Sequence, residues 1–295
     1  MNKNQTVYLS IVVPVTSMAG SFGKLTDWLS RINQSPWEVI LIHDYRDSGT
    51  SLELKSIVEK FHDLKIILFE GEFGSPGIAR NKGIDLSTGE WVTFWDSDDS
   101  PQIAEVKKIF LNDFERGTDV IVANYVEIDV RKNLQIEHKL SQKFVNEIAK
   151  DPGLWRFIIR KSFISNNRFS NLKMAEDQLF LVLLMKQNPK IVLFPLHIYH
   201  YFNGQPGQLT KNKSALNDLN SAIYYMLKIP NLNDNAEFNG IILLKLIISG
   251  LKLSDLSIKL KILIKLVGIL LSPNKSNHRI IWKGASYMIK SVIKR

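Results

Sequence analysis

Residues 91–100, WVTFWDSDDS, set three carboxylates, Asp96, Asp98 and Asp99, within four positions, directly behind an apolar run. Like charges this close raise one another's pKa unless a cation joins them. A hard divalent ion with oxygen ligands, Mg²⁺ or Mn²⁺ bridging to phosphate oxygens, suits such a set. The same residues also read as a solvated acidic turn that caps a helix, with Asp99 or Ser100 as N-cap ahead of Pro101. Upstream, GSPGIARNKGIDLSTG (residues 74–89) has the glycines and proline of a tight loop opening a helix. Helix N-terminal amides attract anions, and Arg80 adds a guanidinium fork for phosphate. Further along, MAEDQLF (residues 174–180) starts a helical pattern with Glu176 and Asp177. Acids in a first turn are also favoured by the helix dipole alone. His197 and His200 are spaced i, i+3 in HIYHY, and strand alternation puts them on opposite faces, against a joint metal site.

These groups need elements to hold them. Residues 8–15, 37–43, 64–69 and 91–95 read as strands, and residues 24–31, 51–61 and 77–86 as helices between them. Short β-rich runs alternating with helices predict βαβ units, a mostly parallel sheet and an α/β fold. In such sheets ligands gather at the carboxyl ends of strands. That directs attention to Thr16 and Ser17, to residues 44–47 with Asp44 and Asp47, and to residues 96–99. The stretch from 119 to 207 is less regular: a strand-like VIVANYVEIDV, a helix after Asp177, and two short strands near Ile191 and Ile198. A Gly-Gln-Pro-Gly stretch within residues 204–210 reads as a lid.

Taken together, ARNKG (residues 79–83), Gly89-Glu90-Trp91 and Asp96-Ser97-Asp98-Asp99 match in order and spacing the pattern of the family 2 glycosyltransferases, and over the first hundred residues the chain resembles that family, including the bacterial O-antigen and capsular polysaccharide enzymes. The opening strand with Pro14, and Asp44 closing the second strand, also lie where the family has them. The resemblance implies a GT-A fold and an inverting, metal-dependent transferase. Asp44 would hydrogen-bond the base of the nucleotide, often uracil. Pro14, Thr16, Arg80, Asp96 and Ser97 would line the nucleotide sugar. Asp98, with Asp96, would bind Mn²⁺ or Mg²⁺. Asp177 would be the catalytic base, with Glu176 beside it, and His200 a lesser contact to the diphosphate. The chain departs from the pattern at His43 (usually Asp), Thr16 (often aromatic) and Tyr45-Arg46 (commonly Gly-Ser). These departures bear on which nucleotide binds.

The chain has no cysteine, which removes disulfides, thiolate metal sites and cysteine nucleophiles. The polar start and the apolar run ending at Pro14 suit a buried strand better than a secretory segment. P-loop and dinucleotide spacings are missing, as is H-E-x-x-H. The net charge of +9 is concentrated: residues 241–295 carry eleven Lys and Arg against one acid, and residues 1–240 carry 27 against 28. Three helical patterns run through that tail. One polar face carries Arg279, Lys283, Ser286, Lys290 and Lys294, another Ser257, Lys261, Lys265 and Ser272, and a narrow stripe carries Lys245, Ser249 and Lys252. Wide apolar faces with basic edges suit helices in a membrane interface or packed on each other. Nucleic acid fits less well, because the tail is too apolar.

The expectation is a GT-A catalytic domain over residues 1–230 and a basic amphipathic helical region over 231–295. The enzyme would move a sugar from a nucleoside diphosphate sugar, UDP-linked as the resemblance implies, to an undecaprenyl diphosphate-linked saccharide. It would lie peripherally at the cytoplasmic face of the inner membrane. Rival expectations are a nucleotide-sugar-binding module without transfer, and a nucleotidyltransferase.

Overall fold

The computed structural model describes residues 7–18, 21–32, 35–45, 48–112, 117–141, 144–205, 213–253, 256–271 and 275–293. Asp47, Lys294, Ser272 and most of the expected lid, residues 206–210, lie outside the described residues.

The first half follows the apolar runs: β1 (Leu9–Val15), α1 (Phe22–Arg31), β2 (Trp37–Asp44), α2 (Ser48–Lys60), β3 (Lys65–Gly71), α3 (Pro76–Leu86) and β4 (Trp91–Phe94). Their sheet order is β3-β2-β1-β4, all parallel. β2 is buried along its whole length, as expected of a parallel strand covered on both faces. α3 lies directly on β1. A Cβ at Gly83 would come within 2.2 Å of Val12 Cγ1, so only glycine allows this approach.

Beyond β4 come β5 (Ser100–Pro101), α4 (Ile103–Phe110), β6 (Val120–Asp129), β7 (Leu134–His138), α5 (Phe144–Lys150), β8 (Phe157–Arg160), α6 (Lys161–Ile164), α7 (Glu176–Met185) and β9 (Ile191–Asn203). β8 inserts antiparallel between β4 and β6, β9 runs parallel to β6, and β5 pairs antiparallel with the end of β9. The two short strands expected near Ile191 and Ile198 are one strand. Pro195, which has no N–H to donate, falls at a register shift where Phe194 pairs with Ala123 but His197 with Asn124.

The described chain divides into two compact units. One comprises Met1–Leu140, Leu154–Arg168 and Pro189–Pro206; the other comprises Ser141–Gly153, Phe169–Asn188 and Gly207–Arg295. The first holds the sheet and a core with Trp28, Trp91, Trp95 and Tyr199 buried. The second is helical: α5, α7, α8 (Lys213–Leu227), α9 (Ala236–Leu253), α10 (Leu256–Leu271) and α11 (Lys275–Ile293). α9 and α11 cross at two glycines, where a Cβ on Gly240 would lie 2.2 Å from the Ile280 carbonyl oxygen.

The three tail helices form where the periodicity placed them, and Ser257, Lys261 and Lys252 are exposed as their polar stripes require, but one lysine of each of two stripes turns inward. Lys245 donates to the Lys150 carbonyl. Lys265 donates to the Asn220 carbonyl at 2.9 Å and lies over the Tyr224 ring. These helices are apolar nearly all round, so backbone acceptors on neighbouring elements, unseen in the local pattern, decide where the lysines turn. Among the described residues no helix is long and apolar enough to cross a membrane.

Candidate functional site

At the carboxyl end of β2, buried Asp44 accepts the backbone N–H groups of Phe73 and Gly74, both at 3.1 Å. This fixes the loop that enters α3, where Ser75 accepts the Ile78 amide and Pro76 opens the helix. With α3 seated on β1 at Gly83, the Arg80 guanidinium reaches the Asp96 carboxylate at 2.9 Å.

The acidic turn is anchored from β9. The Asp96 amide donates to the Tyr199 hydroxyl at 2.9 Å, and that hydroxyl donates to Asp99 at 3.1 Å. The Phe202 amide donates to the other Asp99 oxygen at 2.8 Å. Asp99 and Ser100 therefore do not cap a helix. Ser100 and Pro101 form β5, α4 starts at Ile103, and Gln102 precedes it without a side-chain cap bond. The pull of β9 on the turn outweighs the local capping preference.

Burial pushes the Asp98 carboxyl above the usual aspartate range, and the charge of Asp96 adds to this; its own amide and the charge of Lys24 act the other way. Burial, then Asp96 and Asp98, push Asp99 well up. The environment is apolar and aromatic: Trp95 meets Trp28 edge to face at 5.5 Å, and Trp155 stacks on Tyr201 at 4.4 Å and on Tyr199 at 5.8 Å. A low-dielectric wall of this kind penalises ionised acids. Lys24 of α1 donates to the Asp98 carbonyl at 2.6 Å and to Gln205 Oε1 at 2.9 Å, over the ring of Phe202. Burial pulls its ammonium pKa down, against the opposing charges of Asp99 and Asp98.

Thr16 is exposed just past β1, Pro14 pairs with Ile42 inside the sheet, and Ser97 is buried in the turn. An open groove of about 460 Å³ is lined by Tyr45, Glu72, Phe73 and Gly74. Tyr45 stands 57% exposed there. His43, where the family pattern has an acid, is buried with Nδ1 3.1 Å from Glu70 Oε1. His200 pairs with Ser100 across the β5–β9 ladder. Burial, then the charge of His197, hold it below the usual histidine value.

Glu176 and Asp177 belong to the other compact unit. They open α7 behind Ala175, which takes a left-handed φ of 68° that non-glycine residues rarely adopt. Glu176 is buried, and Asp177 Oδ1 accepts the Gln178 amide at 2.8 Å. Lys245 of α9 feels Asp177: burial pulls its ammonium pKa down, while the charges of Asp151 and Asp177 oppose this. Sequence reasoning missed Lys24, Tyr199, Gln205 and Lys245. Each reaches its partner only through the fold, and no local spacing marks it.

Whether the acidic turn suits a divalent ion depends on its donors. Among the described residues no group of three or more His, Cys, Asp or Glu is arranged to hold an ion. Mg²⁺-type sites commonly use one or two carboxylates and complete their octahedron with water and substrate phosphates. Two half-buried acids, Asp96 and Asp98, fit that arrangement, since a cation would offset the burial, and then the charge of Asp96, that push Asp98 up.

A parallel half-sheet whose carboxyl edge ends in an acidic turn, extended by β8, β6 and β9, is the GT-A glycosyltransferase architecture. Residues 10–186 match the family described as Glycosyl transferase family 2, and the chain belongs to that family. It is 23% identical over 214 residues to glycosyltransferase GlyG of Streptococcus pneumoniae, covering 65% of this chain and 70% of that one. It is 22% identical over 215 residues to GalNAc(5)-diNAcBac-PP-undecaprenol beta-1,3-glucosyltransferase of Campylobacter jejuni, covering 70% and 69%. Two other curated relatives are much longer, and the chain spans 21% and 19% of them. Among solved structures, S. aureus TarS 1–349 in complex with UDP-GlcNAc superposes with a TM-score of 0.66 at 18% identity, covering 94% of this chain and 88% of that one. A mannosyltransferase from Pyrobaculum calidifontis, in complex with GDP-Man and Mn²⁺, gives 0.58 at 12% identity, covering 95% and 86%.

Proposed function

We propose that the chain is an inverting, metal-dependent transferase that moves a sugar from a UDP-linked donor to an undecaprenyl diphosphate-linked saccharide, in assembly of a bacterial surface polysaccharide such as O-antigen or capsule. The observation that carries this reading is the carboxyl edge of the parallel strands, where Asp44, Arg80 and the acidic turn occur in one compact unit. The base would lie in the groove of Tyr45, Glu72, Phe73 and Gly74, beside Asp44. Thr16, Pro14 and Ser97 would border the nucleotide sugar, and Arg80 and His200 its diphosphate. Asp98, with Asp96, would hold Mn²⁺ or Mg²⁺, which when bound supplies Lewis-acid neutralisation of the charge growing on the leaving diphosphate.

Asp177 would take the proton from the acceptor hydroxyl, with Glu176 positioning the acceptor. The hydroxyl oxygen then bonds to the anomeric carbon opposite the leaving group. The bond from that carbon to the diphosphate oxygen breaks, its electron pair leaving with the nucleotide. One displacement inverts the anomeric centre. The relative from Campylobacter, named for an undecaprenol-linked substrate, supports the lipid-linked acceptor. The basic tail supports work at the cytoplasmic face of the inner membrane.

The test is a donor screen with single UDP, GDP and dTDP sugars, Mn²⁺ and a synthetic lipid diphosphate saccharide, run beside Asp98→Ala and Asp177→Ala. Transfer from one donor, abolished by chelator and by both substitutions, is the expected result. Nucleotide binding that persists without transfer to any acceptor would turn the reading toward a non-catalytic nucleotide-sugar binder. Release of free nucleotide sugar from a sugar phosphate and a nucleoside triphosphate would turn it toward a nucleotidyltransferase.

A further inference from the structure

α10 packs by a narrow face. Ile258 and Ile262 are 6% and 0% exposed, and Ile262 fits against Gly250 of α9, where a Cβ would lie 2.3 Å from its Cδ1. The opposite face carries Leu256, Leu260, Leu263, Ile264 and Val267, at i, i+4, i+7, i+8 and i+11. Their exposures are 82, 57, 47, 62 and 53%. At ~100° per residue these five lie within roughly a 100° arc centred away from Ile258 and Ile262. This is the spacing of a face meant to be covered, yet the helix turns it outward. Lys259 borders the stripe on one side and Lys261 on the other. Lys265, expected on the polar face, is drawn inward to Asn220. The outward surface is thus a band of leucine-type side chains with a basic residue at each edge.

We propose that this stripe of α10 is the face that enters an anionic lipid surface, its branched side chains in the acyl boundary and Lys259 and Lys261 at the headgroups. The occupant is chosen by charge. Residues 241–295 carry eleven basic residues and one acid, so a second copy of the same tail would bring like charges together. Anionic headgroups attract the same residues, and apolar burial and electrostatic attraction add in interfacial helices. The inference rests on the membrane-surface part of the function proposed above and deepens it by naming the contacting face.

The test uses the full chain with vesicles, without donor or acceptor. Partitioning onto equimolar phosphatidylglycerol and phosphatidylcholine is compared with phosphatidylcholine alone, for the wild type, for Leu260→Asn/Ile264→Asn and for Lys259→Gln/Lys261→Gln. All three are checked for an unchanged thermal midpoint, which exposed Leu260, Lys261 and Ile264 and half-buried Lys259 permit. The wild type should prefer the anionic vesicles. The apolar pair should weaken binding to them at least about tenfold, which is about 1.4 kcal/mol. The lysine pair should erode the anionic preference several-fold, more at low salt than at high. Partitioning that the Leu260/Ile264 pair leaves unchanged would overturn the inference. So would a dimer in light scattering that the same pair converts to monomer, because a second copy would then be the occupant. Vesicle binding with an empty donor screen would count against the transferase reading alone; transfer to a soluble acceptor without vesicle binding would count against this inference alone.

Discussion

Glu38 at the amino end of the parallel strands and the acidic turn at their carboxyl end treat buried carboxylates in opposite ways. At the amino end, Glu38 of β2 has a fully buried side chain and is saturated by this chain's own donors. Ser10 Oγ and the Thr88 amide bond one oxygen, both at 2.6 Å; Thr88 Oγ1 and Lys65 bond the other at 2.9 and 2.6 Å. Burial alone would raise its pKa, but Lys65, Ser10 and Thr88 together hold it below the usual glutamate value. At the carboxyl end, burial wins and the neighbouring acids reinforce it, so Asp98 and Asp99 are pushed up. The same chemistry is thus used to cement one edge of the sheet and to hold the other in a state that costs stability. That cost is expected where ligand binding, not folding, selects the residues.

The largest expected effect is at the costly end. Asp98→Ala should lower turnover roughly 10²–10³-fold, the scale of losing one transition-state stabiliser. Its thermal midpoint should stay level or rise, because the substitution removes a charge that burial disfavours. A midpoint that drops steeply would make Asp98 a structural residue and break the contrast. Glu38→Gln should behave in reverse: turnover per folded molecule unchanged, and stability in urea lower by about 3 kcal/mol, because Lys65 and the buried donors lose their anion. The pH dependence has a definite sign. The unfolded carboxyl titrates near 4.5 and the folded one lower. The stabilisation is complete above the unfolded value and is lost as pH falls through the folded one. Acid unfolding curves of wild type and Glu38→Gln should therefore converge at low pH.

The contrast also marks what the sequence could reveal. Asp96, Asp98 and Asp99 are neighbours along the chain, so their crowding is visible in the residues themselves. Their division of labour is not: Asp99 is tied down by Tyr199 and Phe202, 100 and 103 residues away, and Lys24 reaches Asp98 across 74. The early βαβ units follow apolar periodicity closely. β8 does not, because four residues entering antiparallel carry no pattern longer than a turn. In the tail, periodicity located α9, α10 and α11 and the exposed face of Arg279, Lys283 and Ser286 on α11; it missed the inward turns of Lys245 and Lys265, because α9 and α10 are apolar on most sides and backbone acceptors on neighbouring elements decide where a lysine goes.

α3 links the two ends. It leaves Asp44 at the carboxyl edge and returns the chain to Thr88 and Glu38 at the amino edge. A change in its middle should therefore affect both, where Asp98→Ala and Glu38→Gln each affect one. Gly83→Ala drives a Cβ to 2.2 Å from Val12 Cγ1 in the core. It should cost about 1–3 kcal/mol and also lower turnover, as Arg80 shifts from Asp96. Combining it with Val12→Ala should recover part of both losses, and a double-mutant cycle measures how much. Strictly additive losses would mean that the two side chains do not meet as described.

The smallest effect concerns the rim of the carboxyl end. Tyr45 stands half-exposed on the groove it shares with Phe73, while Thr16 occupies the position where the family pattern often has an aromatic. If the base lies in that groove, Tyr45 supplies the stacking surface that Thr16 lacks. Stacking of a base on an aromatic ring contributes about 1–3 kcal/mol, and an exposed ring belongs at the low end. Tyr45→Ala should raise the donor KM roughly fivefold, about 1 kcal/mol, with kcat and thermal midpoint unchanged. Tyr45→Phe should restore the wild-type KM, because the ring and not the hydroxyl makes the contact. A fall in kcat at constant KM would instead assign Tyr45 to the reacting end of the donor, and an unchanged KM would move the base away from this groove.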